Sequence, residues 1–503
     1  MDPLAINYSA EKILQLIRTQ KDAFWARERE RRPLALFHAA ALRVPAYKDF
    51  LKKHKVNPAK VKTFKDFEQV PPISKKNYLR QYPLEKLCWD GTLKKPLVFT
   101  STSGSTGEPF YFPRGAQLDW EYSVLAELFL ASTSKKNTGS TLVIVGLGMG
   151  AWIGGLITYK AFELASQRGK YPISIITPGI NKAEIFHALR QLSPHYQQTI
   201  LVGYPPFVKD IIDEANSIEK LNLKKINLRI MTAAEAFTEK FRDYLVNKTD
   251  IKNLYLDTLN IYGTADIGAM AYETPSAILI RRLTLKDKQL FQNVFSPISK
   301  TPTLAQYNPL FITFEAVNGD IMLSGFNTIP LVRYAIGDHG GVFNFQHVAQ
   351  KFKQSGIDLV AEAKKVGIAN NLYELPYVYV YERSDFSTKL YGAIIYPEHI
   401  REGISHPKLE DMVTGKFTML TQFDKDHNEF LEIHFELKPN NKPSNKLKKL
   451  LEDIVIESLL QKNAEYRNNY SSMPHRVRPR IILWNYEHPL HFKRGIKQKW
   501  VKK

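Results

Sequence analysis

Hydrophobic positions change their spacing twice along the chain. From residue 9 to 43 they recur at helical intervals, with Ile13, Leu14, Ile17, Phe24, Leu34, Leu36, Phe37 and Leu42 on one prospective buried face. The spacing predicts helix up to a break at Arg43-Val44-Pro45, then a short second helix, then a third segment at Thr63 to Phe67 that starts like a capped helix. From 96 to about 345 the pattern shifts to short apolar runs separated by amphipathic stretches. Leu142–Val145, Ile173–Ile176, Thr199–Val202, Leu228–Met231 and Leu256–Tyr262 read as strands, with helices at Ala183–Leu192, Phe207–Ala215 and Glu239–Val246 between them. Such alternation predicts an α/β domain with a substantially parallel sheet, whose ligands would collect at the carboxyl ends of strands. Farther on, Lys389–Ile395, Phe417–Thr421, Phe430–Leu437 and Arg480–Trp484 read as strands and residues 446–463 as a helix, which suggests a small α+β unit. The expected divisions are a leading helical region at 1–95, an α/β core at 96–381 and a mobile α+β domain at 382–503. No internal repeat or long low-complexity segment is visible.

One stretch is richer in hydroxyls and glycines than packing requires. Pro96 to Phe99 reads as a short strand, and Thr100 to Gly107 follows as an unbroken run of Thr, Ser and Gly. Gly104 and Gly107 allow a tight turn, while Thr102, Ser103, Ser105 and Thr106 add hydroxyl donors. A concave set of amides and hydroxyls suits a di- or triphosphate, and a solvent-exposed Ser/Gly linker would have the same composition. It is not a Walker loop, because Glu108-Pro109 follows the last glycine where that loop has Lys-Ser/Thr.

Composition narrows the class. The 503 residues are 44% hydrophobic and 24% charged, as in globular proteins that bury a large core. A single cysteine, Cys88, excludes an intramolecular disulfide and any multi-cysteine metal site. No N-terminal signal pattern is visible, and the longest apolar-looking stretch, Thr141 to Ile157, is interrupted by five glycines, so a cytoplasmic protein with no membrane span is expected. The formal charge of +20 favours anionic partners in general without choosing among them. Its local clusters, Arg27–Arg32 and Lys446–Lys449, read as solvated helix faces.

The order of the motifs resembles the adenylate-forming superfamily, and specifically its phenylacetate-coenzyme A ligase-like branch. The resemblance covers nearly the whole chain. Val44 to Tyr47 matches Val-Pro-x-Tyr, Phe64 to Phe67 matches Phe-x-Asp-Phe, and Pro71 to Lys75 matches Pro-x-x-Ser/Thr-Lys. Thr102 to Pro109 is similar to the phosphate loop Thr-Ser-Gly-Ser/Thr-Thr-Gly-x-Pro. Tyr262-Gly263-Thr264-Ala265-Asp266 stands where that family has Tyr-Gly-x-x-Glu, and Pro330 to Asp338 resembles Pro-x-x-Arg-Tyr-x-x-Gly-Asp. Glu382-Arg383-Ser384-Asp385, followed by Tyr391-Gly392, resembles the hinge and first strand of a swinging C-terminal domain.

The resemblance implies ATP-dependent activation of a carboxylic acid as acyl-AMP, with Mg2+ as cofactor and transfer to coenzyme A. Thr102, Ser103, Gly104, Ser105, Thr106 and Gly107 would hold the β- and γ-phosphates. Tyr262 would stack on adenine, with Gly263 and Glu235 also binding the nucleotide, Thr264 would approach the α-phosphate, Asp338 would accept from the ribose hydroxyls, Arg383 would support the ribose or phosphate, and Asp385 would be the hinge. Two positions depart from the pattern. Asp266 replaces the metal-binding Glu and is one methylene shorter, which brings Glu273 in as a second metal candidate. The C-terminal lysine pattern is also displaced: Lys497 is the choice for the catalytic lysine, ahead of Lys493 and Lys499. An acyl pocket for a flat, apolar acid is expected from Trp152, Gly154, Gly155, Tyr204, Phe207 and Ala233. An amine, protein or cofactor hydroxyl as acceptor, or a degenerate scaffold acting as a basic binding protein, remain alternatives. Nucleic acid is not the expected partner, and a homodimer is compatible with the sequence.

Overall fold

The computed structural model describes residues 6, 8–95, 97–101, 110–134, 139–150, 153–295, 301–381, 387–404, 407–409, 411–489, 491–492 and 501. The phosphate-loop candidates Thr102 to Gly107, and Trp152, Arg383, Asp385, Lys493, Lys497 and Lys499, lie outside them.

Eighteen strands follow one another along the described chain: β1 Val98–Ser101, β2 Tyr111–Arg114, β3 Thr141–Gly146, β4 Ile173–Ile176, β5 Gln198–Gly203, β6 Leu228–Ala233, β7 Thr258–Thr264, β8 Gly268–Tyr272, β9 Thr303–Gln306, β10 Ile312–Val317, β11 Asp320–Gly325, β12 Leu331–Phe343, β13 Tyr377–Tyr381, β14 Thr388–Leu390, β15 Ala393–Ile395, β16 Val413–Phe423, β17 Glu429–Leu437 and β18 Arg480–Trp484. Eleven of them form one sheet in the order β10-β11-β12-β13-β9-β8-β7-β6-β5-β3-β4. The half from β7 to β4 is parallel, and the other half is antiparallel. Strands β3 and β5 are buried along their full length, as expected where helices cover both faces of parallel strands. The parallel expectation therefore holds for one half only. The antiparallel half was not legible from alternation: β9 to β12 follow one another without helices, while helices Pro275–Thr284 and Lys288–Val294 separate β8 from β9, and Phe345–Gln354 and Leu359–Lys365 separate β12 from β13, as they would parallel strands.

Local chemistry moves several predicted boundaries. The helical pattern over 9–43 is two helices, Ala10–Thr19 and Asp22–Arg43, because Gln20 and Lys21 are extended between them. Leu256 and Asp257 belong to a short helix, Leu254–Asp257, since the Asn253 side chain caps Tyr255 N and Leu256 N. The predicted strand over 389–395 is instead a hairpin, β14 and β15, turning at Tyr391-Gly392.

The leading helices do not stand apart from the sheet. Ile73 pairs with Tyr334 of β12, through Ile73 N to Arg333 O at 3.2 Å and Ala335 N to Ile73 O at 2.8 Å. The Arg333 guanidinium reaches back to Glu315 and to Val70 O. Residues past Tyr381, the last of β13, build the hairpin and a three-stranded sheet, β16-β17-β18, with helices including Pro397–Ile404 and Asn445–Lys462. Among the described residues no helix is long and apolar enough to cross a membrane.

Candidate active site

The carboxyl ends of β3, β5, β6 and β7 face one way, and most of the described candidate residues gather there, Glu273 excepted. Tyr262 and Thr264 end β7. The Tyr262 hydroxyl donates to Asp338 Oδ2 of β12, although β8, β9 and β13 lie between the two strands in the sheet. The twist of the sheet and the thirteen-residue length of β12 bring them together. Hairpin β1–β2 brackets the phosphate-loop candidates, and Thr100 Oγ1 donates to Ala265 O at 3.3 Å, which fastens that hairpin to the turn after β7. Thr264 Oγ1 is buried and has no hydrogen-bond partner among the described residues. A buried hydroxyl without a partner is costly, so this atom is a place for a ligand oxygen to bind.

Asp266 is almost fully buried and already holds a cation. Lys75 Nζ lies 3.0 Å from its Oδ1, and the Tyr334 hydroxyl donates to its Oδ2 at 2.7 Å. The pairing of Ile73 with β12 is what delivers Lys75 to this carboxylate. Glu273 does not share the site. It follows the far end of β8, about 17 Å of strand from Asp266, and its carboxylate is held by Arg242 at 2.7 Å and by Arg281. The expectation that Glu273 could stand in for Asp266 at a metal is therefore not met. Among the described residues no three His, Cys, Asp or Glu side chains form a metal site. Asp266, with Lys75 as a stand-in cation, does fit one carboxylate's share of one.

On the acyl side, Gly154 and Gly155 lie in the first turn of helix Ile153–Gln167. A Cβ on Gly155 would stand 2.7 Å from Gly148 O, so the glycine lets the helix start against the Leu147–Met149 loop. Phe207 is a packing residue: it is fully buried and fills space beside Gly146 and Gly203. Ala233 ends β6, and the following turn is pinned by Asn260 Nδ2, which donates to Glu235 O at 3.1 Å.

Tyr204 and Glu235 are covered by the C-terminal region. The tip of the β14–β15 hairpin, Tyr391-Gly392, has φ of +49° and +84°, the two left-handed residues of a tight hairpin turn. Gly392 N donates to Glu235 Oε1, and a Cβ on Gly392 would lie 2.7 Å from the Tyr204 ring. Tyr391 is fully buried, its hydroxyl 3.1 Å from Asp210 Oδ2 in helix Pro205–Ser217. Two further contacts join the regions. Arg476 pairs with Asp210 at 3.2 Å and Glu214 at 3.5 Å, and Lys209 donates to Asn428 Oδ1 at 2.8 Å. Sequence reasoning assigned no role to Lys75, Tyr334, Asp210, Glu429 or Arg476. Lys75 and Tyr334 stood in motifs without a role of their own, and Tyr391-Gly392, read within one strand, carried the local signal of a hairpin turn.

No family model and no curated protein sequence matches the chain. Solved structures do. The chain is similar to 2-hydroxyisobutyryl-CoA ligase in complex with 2-HIB-AMP and CoA in the thioesterification state, with a TM-score of 0.61 and 14% identity over 95% of this chain and 90% of that one. The fold is that of the adenylate-forming ligases. Against the same ligase in the postadenylation state with 2-HIB-AMP the TM-score is 0.51, at 14% identity over 95% and 89% of the two chains. Against its open conformation with 2-HIB-AMP and CoA it is 0.50, at 14% identity over 94% and 93%. The same ligase in three arrangements thus gives scores of 0.61, 0.51 and 0.50.

Proposed function

We propose that the chain activates a carboxylic acid with ATP as acyl-AMP and then transfers the acyl group to a thiol, coenzyme A in the first instance. The observation that carries the reading is the convergence of Tyr262, Thr264, Asp266 and Asp338 beside the hairpin that brackets Thr102 to Gly107, on the fold of acyl-CoA ligases. Thr264 Oγ1, with its hydrogen bond unmade, would bind an α-phosphate oxygen. Asp338 would accept from the ribose hydroxyls, with Tyr262 holding the carboxylate in place. Thr102 to Gly107 would bind the β- and γ-phosphates, Arg383 would support the nucleotide from the hinge at Asp385, and Lys497 would offset charge on the reacting oxygens. Asp266 would hold Mg2+ in exchange for Lys75; when bound, the ion supplies charge neutralisation of the triphosphate. The order of the motifs favours the phenylacetate-coenzyme A ligase-like branch, and Trp152, Gly154, Gly155, Tyr204 and Ala233 would line the pocket of a flat apolar acid.

A thiol acceptor is favoured over an amine by the docked C-terminal region and by the higher score against a thioesterification state. The test is acid-dependent exchange of pyrophosphate into ATP, run across aryl and short branched acids, with coenzyme A then added. Exchange without coenzyme A and thioester only with it is the expected result. No exchange with any acid would overturn the reading.

A further inference from the structure

The Tyr391-Gly392 turn carries two consecutive amides into the interface, and each ends on a carboxyl group. Tyr391 N donates to Glu429 Oε2 at 2.8 Å, and Gly392 N donates to Glu235 Oε1. Glu235 follows β6 of the large sheet and Glu429 opens β17 of the small one. Neighbouring amides hold the two carboxyl groups side by side, in hydrogen-bond contact with each other and buried. A hydrogen bond between two carboxyl groups needs one proton, and two bare carboxylates at that separation repel. We propose that Glu235 and Glu429 share one proton across the interface, and that this proton-bound pair positions the Tyr391-Gly392 turn, so that docking of the C-terminal domain takes up a proton.

The charged and titratable groups facing the pair come from every element around it. Lys389 of β14 donates to Ala234 O at 2.6 Å. Glu465, in helix Ala464–Ser472, adds a third carboxyl, pushed up to about 8 by burial, with Lys389 opposing and Glu235 adding to the rise. Tyr204, also buried, faces Glu465 and Glu235. Below the turn, Asp210 is met by Tyr391, Lys182 and Arg476, with Glu214 beside them. Burial raises the Glu429 carboxyl well above the ordinary range, and the Glu235 charge raises it further.

The direction follows from linkage. The docked form binds more protons than the undocked one, so docking is fully favoured below the ordinary carboxylate pKa and is lost as pH rises through the raised, docked values, about 8 for Glu465. With one proton shared, the ratio of docked to undocked protein falls about tenfold per pH unit between the ordinary carboxylate pKa and the raised, docked value, and levels off above it.

Energy transfer on the full chain tests this without substrate. Dyes go on Ile218→Cys and Lys446→Cys, both exposed positions on opposite sides of the interface, while Cys88 is buried and stays unlabelled. The expected result is a docked signal that fades as pH rises from the ordinary carboxylate range towards 8 and levels off beyond, and a flattened titration in Glu429→Gln. Glutamine keeps an oxygen for Tyr391 N and offers Glu235 a permanent donor. If Glu429→Gln does not fold, Glu235→Gln neutralises the other partner and is read in the same way. A flat titration of the parent chain, or variant curves that superimpose on the parent, would overturn the proposal. A kinetic arm rests on the proposed function: thioester formation should lose its alkaline decline in Glu429→Gln while pyrophosphate exchange is unchanged. If no acid is ever activated, that function fails and the energy-transfer titration still decides the shared proton.

Discussion

Two buried acidic clusters sit at opposite ends of one short segment and behave in opposite ways. Glu239 and Glu273 are enclosed with Arg242, Arg281 and Arg282, all in the large domain, at distances such as 3.0 Å for Arg242 to Glu239 and 2.7 Å for Arg242 to Glu273. Glu235, four residues before Glu239, meets Glu429 from another domain. In the first cluster burial by itself would raise Glu239, and the arginines outweigh it and hold its pKa below the ordinary value. In the second, burial and like charge act together and raise Glu429. Charge balanced within one domain is fixed structure. Charge left unbalanced across a boundary is tolerable only in one arrangement and one protonation state, which is the property a moving interface needs.

The pH dependence separates the two by sign. The depressed Glu239 contributes stability that is present above its unfolded pKa and lost only as the medium becomes acid enough to protonate the folded carboxylate. The raised Glu429 and Glu465 contribute to docking at low pH and lose that contribution as pH rises. Resistance of the large domain to unfolding should therefore weaken in acid, and docking should weaken in alkali; both trends running the same way would erase the distinction.

The largest single effect is expected inside the arginine cluster. Glu273→Gln leaves Arg242 and Arg281 short of a counter-charge in a dry site and should cost about 3–5 kcal/mol in urea unfolding. A loss near zero would mean that water or a neighbour rescues the guanidinium groups. Next comes Gly392→Ala, which combines a strained positive φ with a Cβ at 2.7 Å from the Tyr204 ring. Acyl transfer to the thiol should fall on the order of 100-fold while pyrophosphate exchange persists, because the turn no longer seats. Equal losses in both half-reactions would show that the contact belongs to the first step as well. Arg476→Gln removes one of the cations on Asp210 and leaves Lys182, so a fall of about tenfold in transfer alone is expected. A rate indistinguishable from the parent would take this pair out of docking. Smallest is Asp49→Asn, which breaks an exposed pair with Lys53 at 2.7 Å. Its unfolding midpoint should not move measurably, since solvent screens such pairs; a clear shift would mean that burial is not what separates these clusters.

Much of the candidate site could be proposed from the chain because its parts are local. Tyr262-Gly263-Thr264 ends an apolar strand, Gly337-Asp338 interrupts another, and Thr100 to Gly107 stands out by composition alone. Each needs only a few consecutive residues to declare itself. Lys75 was visible as part of a motif, but its carboxylate partner was not, because the contact depends on Ile73 joining the edge of β12 from 261 positions away in sequence. Glu273 shows the converse. Its nearness to Asp266 in sequence suggested a shared role, and a strand running between them carries them apart.

By itself the sequence determined the α/β class, the parallel half of the sheet, the helices with strong caps, and the candidates at the strand ends. Apolar periodicity and turn residues act over a few positions and are written in order along the chain. Only the tertiary structure decided which charges are balanced and which are not. Glu235, Glu273 and Glu429 are the same residue type, and nothing in their neighbours along the chain tells them apart. What does so is the partner that folding brings within hydrogen-bond reach: a guanidinium for one, and for the other two, each other.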